Sequence, residues 1–334
     1  MSRGRCFASW LRAAAAVLVV CTAGATAAPA VCIPAPEAPS AAALQRLQAQ
    51  AQDRGFLWRI RKDGRESHLY GTVHVGRQEW LLPGPHLARA MAATQVLALE
   101  LDPLDPSIQQ RMAALVTRNA GDWPAALKPR MQAQADRVCL PAEATALHPV
   151  LVLTTIELFS LRAQGLHAEF AQESLLSGWA RSRGIPVTSL ETPEAQMAAL
   201  LGPAGTVDAV ALEEGLSALE KGGSAAIART LSRTWAQSDL PRLADYAAWC
   251  ACRDTAHDRA QIKALLDDRN PALADGIDRL HALGKPVLAA VGALHMIGPQ
   301  GLPALLQARG YTVEYMPPAR SLPKKAPAKN VKEP

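Results

Sequence analysis

Aromatic side chains are scarce in this chain, at 4% of 334 residues. Alanine and leucine are abundant instead, a balance that favours substantial helix. Positive charge is scarce where it would matter. The formal net charge is +5, but Arg3, Arg5 and Arg12 near the start carry three of those charges. A tail from Arg320 carries four lysines against Glu333, so the body between the two ends sits near −2. No basic face or aromatic-interleaved basic motif remains, which argues against nucleic acid as a partner. Beyond the N-terminus no apolar run is long enough to span a bilayer, and Arg162 interrupts the best candidate, Val150 to Leu161. No repeat of fixed period is present.

The first 27 residues read as an export signal. Arg3 and Arg5 form a basic start, Ala13 to Cys21 a short apolar stretch, and Ala25-Thr26-Ala27 a small-x-small cleavage site. An uncleaved anchor is the alternative, since the apolar stretch extends back to Trp10. Bulky Val20 before Cys21 argues against lipidation. We therefore expect a periplasmic or secreted protein with no stable membrane span after signal removal. Its four remaining cysteines, Cys32, Cys139, Cys250 and Cys252, then suggest two disulfides. Near-adjacent cysteines rarely pair, so Cys250 and Cys252 are each expected to join a distant partner, Cys32 or Cys139. A metal site at Cys250-Ala251-Cys252 competes with that reading, but its spacing is one residue short of CxxC.

Residues 28–55 form a Pro/Ala-rich lead-in followed by a helix from Ala41. Phe56 to Ile60 and Ser67 to Thr72 are strand candidates around a Lys62-Asp63-Gly64 turn. Further strands are expected at Val96 to Glu100, Ile185 to Glu191, Val287 to Val291 and Tyr311 to Tyr315, with helices between them. Residues of about 107–182 and 205–283 are mostly helical. The expected fold is α/β, a central mixed β-sheet with flanking helices and a large helical insertion or cap. The main domain would run over 56–317. Residues 318–334, rich in Pro, Lys and Ala, should be a disordered basic tail.

Chemistry concentrates at the strand ends. Two Gly-x-x-His turns, Gly71-Thr72-Val73-His74 and Gly292-Ala293-Leu294-His295, follow apolar strand-like runs, and two other runs end on Glu100 and Glu191. In open α/β sheets ligands bind beyond the carboxyl ends of the strands. Two imidazoles and two carboxylates converging there would suit a divalent transition-metal ion. Gly71 and Gly292 would let the backbone turn sharply and approach a ligand closely. Metal-bound water would be the nucleophile and a carboxylate the general base. Each position has a plainer reading on its own: a hydrogen-bonding histidine, or a glutamate paired with an arginine or lying in a helix-capping segment.

The strings Leu69-Tyr70-Gly71-Thr72-Val73-His74-Val75-Gly76, Leu97-Ala98-Leu99-Glu100-Leu101-Asp102, Leu190-Glu191-Thr192-Pro193-Glu194-Ala195-Gln196, Arg269-Asn270 and Val291-Gly292-Ala293-Leu294-His295-Met296-Ile297-Gly298-Pro299-Gln300-Gly301-Leu302 resemble the motifs of the TraB/GumN family, in order, from about Phe56 to Glu314. That family is similar to the Tiki-type metalloproteases and more distantly to erythromycin esterase and ChaN-like proteins. The resemblance implies a metal-dependent hydrolase, peptidase-like, acting on a peptide or small acyl substrate with Mn, Co or Zn. Carried over, His74 and His295 become metal ligands, and Glu100 a ligand or general base. Glu191 and Arg269 become active-site residues, Arg269 as an oxyanion stabiliser. A non-catalytic protein sequestering a peptide or haem in the same cleft is the alternative. An accessory role in an envelope polysaccharide system rests on the GumN name alone. Where the family shows a Gly-hydrophobic-Asp segment, this chain has Ala171-Gln172-Glu173, which leaves the role of Glu173 open. Asp102 is a candidate to orient a ligating histidine, and Trp80 to line the cleft. The other six histidines read as ordinary surface or core residues.

Overall fold

The computed structural model describes residues 32–118, 121–201, 209–250, 252 and 256–319, apart from the side chain of His257. The expected leader and nearly all of the basic tail lie outside those residues. Among the described residues the first element is a helix, Ala41–Ala49, preceded by Ser40, whose hydroxyl accepts a hydrogen bond from the Ala43 N–H (3.2 Å). Two strands follow, β1 (Phe56–Lys62) and β2 (Arg65–Thr72). They form an antiparallel hairpin because Asp63 and Gly64 both adopt positive φ, 51° and 72°, as a tight two-residue hairpin turn requires.

The remaining strands are β3 (Val96–Leu99), β4 (Val187–Ser189), β5 (Val287–Gly292) and β6 (Thr312–Met316). Together they make one mixed six-stranded sheet in the order β4-β3-β5-β2-β1-β6. The run β4-β3-β5-β2 is parallel, and β1 and β6 are antiparallel additions at one side. Burial follows position. The unbroken apolar strands Val-Leu-Ala-Leu and Val-Leu-Ala-Ala-Val-Gly are wholly buried at the centre, whereas the edge strands β4 and β6 have no buried residue. This is the α/β architecture expected from the alternation of apolar strands with helices.

Two larger hydrophobic cores result. The first packs the sheet against Leu176, Ala180, Leu231, Trp235, Leu273 and Ile277, from the helices Gln172–Ser182, Gly223–Ala236 and Asn270–Ala282. The second lies within the intervening helices, from Ile108 and Met112 through Leu153 and Ile156 to Leu212 and Leu216. Among the described residues no helix is long and apolar enough to cross a membrane.

The cysteines correct one expectation. Cys32 is bridged to Cys139, but Cys250 is bridged to Cys252 and neither reaches a distant partner. Their Cα atoms are 5.1 Å apart, a separation that a bridge spans, and both side chains are buried in the sheet core, away from Cys32 and Cys139. The same pairing leaves no free thiolates there for a metal. In the chain-entropy account a bridge stabilises in proportion to the logarithm of the loop it closes. The Cys32–Cys139 bridge has a sequence separation of 107 and the Cys250–Cys252 bridge one of 2. We expect the Cys32→Ser/Cys139→Ser double variant to lose up to about 4 kcal/mol and to melt well below the wild type in calorimetry. The Cys250→Ser/Cys252→Ser variant should lose clearly less. Equal losses would refute this assignment.

Candidate active site

Parallel pairing aligns the strand ends. Thr72 of β2 lies opposite Gly292 of β5, and Leu99 of β3 opposite Ala290. Beyond β4 the pairing continues, with Leu190 N–H donating to Leu99 O (2.8 Å) and Glu191 N–H to Glu100 O (3.0 Å). His74, Glu100, Glu191 and His295 therefore emerge at one edge of the sheet, and Arg269 reaches them from the residue preceding the helix Asn270–Ala282.

The two glycines act through close approach. A Cβ on Gly71 would stand 3.2 Å from Ala293 Cα, so the first turn packs directly on the second. A Cβ on Gly292 would stand 3.2 Å from Glu100 Oε1, 3.6 Å from His295 Cδ2 and 3.8 Å from His74 Nε2. The space that Gly292 leaves is thus where a carboxylate and two imidazoles meet. Its own N–H donates to Glu100 Oε1 (2.8 Å). The Trp235 indole N–H donates to Gly71 O (2.7 Å), pinning the first turn to the helix Gly223–Ala236.

Each imidazole is held through Nδ1. His74 Nδ1 lies 3.2 Å from Glu173 Oε1, which also accepts the Thr72 hydroxyl. His295 Nδ1 donates to Asn270 Oδ1 (2.6 Å), and Asn270 is oriented by donating its own amide to Gln300 O (2.7 Å). This leaves Nε2 of both rings on the Glu100 side, the arrangement in which an outer oxygen fixes tautomer and ring angle for a ligating histidine. Arg269 dominates the floor. It clasps Glu191 through Nε (2.9 Å) and Nη2 (2.8 Å), reaches Glu100 Oε2 through Nη2 (2.5 Å), and points Nη1 at Leu265 O (2.9 Å) and His295 Nε2 (3.4 Å). A π-helical turn, Lys263–Asp267, just before Arg269 carries the Leu265 carbonyl that it contacts.

Electrostatics separate the two histidines. Burial opposes the charge on His74, but the Glu173 carboxylate outweighs it and raises the group to about 9. His295 is pushed down to about 4 chiefly by burial, which outweighs the attraction of Glu100 and is reinforced by Arg269 and His74. Burial opposes ionisation of Glu100, yet Arg269, both histidines and the Gly292 N–H hold it well below the usual carboxylate range. His74 is the member that opens to solvent, with 27% of its side chain exposed.

The adjoining cleft has a volume of about 50 Å³ and is lined by His74, Glu100, Arg269, Gly292 and His295 together with aliphatic residues. That is room for roughly three or four water-sized groups. Among the described residues no three His, Cys, Asp or Glu side chains form a ready-made metal cage; Arg269 already holds Glu100 and Glu191. The donor chemistry nevertheless fits a divalent cation. Two carboxylates, Glu100 and Glu191, share one guanidinium, while a third, Glu173, is buried beside His74 with its Oε2 lacking a hydrogen-bond partner among the described residues.

The residues singled out from sequence at the site converge here, and others do not. Asp102 does not touch the imidazoles; it pairs with Arg181 and accepts from the Ser177 hydroxyl (2.6 Å). Trp80 packs at a tilt against Trp235, with ring centroids 5.3 Å apart, and does not line the cleft. His281 is bound to Ser67 and Lys62 O, and His148 caps a helix. Asn270, Thr72 and Glu173 hold the site's histidines or their partners, and none of them had a definite role in the residue pattern alone. Asn270 adjoins Arg269 and Thr72 lies inside the first motif, so their neighbourhoods were visible although their contacts were not.

Because His74 titrates above the free value of 6.5, its contribution to stability is complete below about 6.5 and is lost as pH rises through about 9. His295 titrates below 6.5, so its contribution is complete above about 6.5 and is lost as pH falls through about 4. We expect the metal-free protein to melt highest between these limits. The two imidazole proton resonances should titrate near 9 and near 4 in NMR. A shared midpoint near 6.5 would contradict this geometry.

Residues 56–315 match the model of the TraB/PrgY/gumN family. No curated protein and no solved structure gave a match.

Proposed function

The chain belongs to the TraB/PrgY/gumN family, and from that membership and the site geometry we propose that it is an exported, metal-dependent hydrolase of peptide or other acyl bonds. One observation carries the reading: two imidazoles are each held at Nδ1 by an outer oxygen, His295 Nε2 lies 3.9 Å from Glu100 Oε2, and His74 Nε2 borders the same gap over Gly292 as Glu100 Oε1. His74, His295 and Glu100 would hold the ion, with Mn, Co or Zn as the candidates. When bound, such an ion supplies Lewis acidity and lowers the pKa of a water. Hydrolysis adds the water oxygen to the carbonyl carbon, breaks the bond to the leaving oxygen or nitrogen, and delivers a water proton to that leaving group.

The chain's own residues divide the remaining work. Arg269 Nη1 must withdraw from the lone pair of His295 Nε2 before that nitrogen can ligate. Arg269 keeps its two bonds to Glu191 in doing so and offers the Nη1 N–H released from His295 to an oxyanion in the cleft. Glu191 stays as the anchor of that arginine and a candidate proton acceptor. Glu173 and Asn270 hold the rings in place. The small cleft disfavours the sequestering alternative for haem, since cavities that enclose cofactor-sized ligands run to about 300 Å³ or more. Two disulfides support export to an oxidising compartment.

We expect purified mature protein to bind Mn²⁺, Co²⁺ or Zn²⁺ in calorimetry, and His74→Ala and His295→Ala each to abolish both binding and hydrolysis. Undiminished metal binding in both variants would defeat the proposal. Arg269→Gln should separate the roles of the arginine. Mn²⁺ binding should stay as tight as in the wild type or become tighter, while kcat falls about 10²-fold or more, as for loss of an oxyanion donor. Weaker Mn²⁺ binding in that variant would show that Arg269 supports the ion and does not compete with it.

A further inference from the structure

The cleft has two unlike walls. His74, Glu100, Arg269 and His295 make the charged one, and Val75, Leu231, Ser232, Leu266 and Leu294 make the other. The second wall is assembled from separate places. Leu231 and Ser232 come from the helix Gly223–Ala236, Leu266 from the π-helical turn before Arg269, and Leu294 from the second Gly-x-x-His turn itself. All five side chains belong to buried residues, so the wall is firm. No charged group stands on it. Thr72 commits its hydroxyl to Glu173, whereas Ser232 makes no side-chain hydrogen bond to another described residue. Among the described residues that line the cleft, Ser232 thus keeps a neutral side-chain donor for a ligand.

A carbonyl placed at the charged wall must lay its substituent on the aliphatic one. A charged substituent there would lose its water and gain no partner. A long one would overfill a space of about 50 Å³ between well-packed side chains. We propose that this wall is the acyl-side pocket of the substrate. It takes a short, uncharged acyl group of about two to four carbons with the carbonyl carbon counted, and the Ser232 hydroxyl donates to the polar atom beside the reacting carbonyl. This inference rests on the hydrolytic reading above and narrows its substrate to small aliphatic acyl or aminoacyl groups.

Two measurements on the mature chain loaded with Mn²⁺ test it. In the first, the p-nitrophenyl esters of acetate, butyrate, octanoate and succinate are compared by kcat/KM. Acetate and butyrate should exceed octanoate and succinate at least tenfold, and Leu266→Ala should move the preference toward octanoate by about tenfold. In the second, binding of isobutyramide and succinamate is followed by ligand-observed NMR. Isobutyramide alone should bind, and Ser232→Leu, which fills the pocket, should remove that binding with its melting temperature checked alongside. If all four esters are cleaved alike and Leu266→Ala changes nothing, the pocket assignment falls and hydrolysis stands. If no ester is cleaved but isobutyramide binds and Ser232→Leu abolishes it, the pocket stands and the hydrolase reading falls. If neither ester nor amide is recognised, both fall.

Discussion

A single buried guanidinium organises the business edge of this molecule. All five N–H donors of Arg269 have acceptors, namely Glu191 twice, Glu100, the Leu265 carbonyl and His295 Nε2. A guanidinium at this depth, or either glutamate without it, would be an uncompensated charge in a poorly solvated place. The triad therefore exists only when strands β3 and β4 and the turn before the helix Asn270–Ala282 are all in place. It links positions separated by 169 and 78 residues in the chain. Sheet order, the parallel run and the docking of that helix are the conditions under which these three charges satisfy one another.

The same edge depends on an absence of side-chain atoms. Gly71 and Gly292 let the two histidine-bearing turns press together and let a carboxylate enter beside them. Neither glycine has a positive φ, so the requirement is for space and not for a left-handed backbone. Trp235 complements them. Its indole N–H takes the Gly71 carbonyl, and Gly55 N–H donates to its backbone oxygen (2.9 Å). One face of the cleft is thereby the sheet edge and another is the helix that carries Leu231 and Ser232. Charge and aliphatic surface meet across a gap of a few water molecules, where electrostatic interactions are strong because solvent is scarce.

Much of this was legible in the order of the residues. Apolar runs ending in Gly-x-x-His or Glu marked the strands and their functional ends, because a buried parallel strand must be apolar and its carboxyl end is where a ligand can be reached. The Asp63-Gly64 turn was readable because so few residues accept its dihedral angles. Glu173 and Asn270 were not readable as partners of His74 and His295. A helix-borne carboxylate and an amide carry no periodic signal, and which ring each one meets depends on how two helices dock. Cys250 and Cys252 misled for a related reason. The rarity of near-adjacent bridges is a local expectation, but the folded chain buries these two side by side and leaves Cys32 beside Cys139.

The sequence by itself determined the strand segments, their α/β alternation and the residue types at the strand ends, since burial and dihedral preference act within a few neighbours. The tertiary structure decided which of those residues meet. It set Arg269 against both glutamates, gave each imidazole its outer oxygen, and made the two histidines electrostatic opposites. Those outcomes turn on desolvation and on distances of a few ångströms between segments far apart in the chain, and no local pattern encodes them.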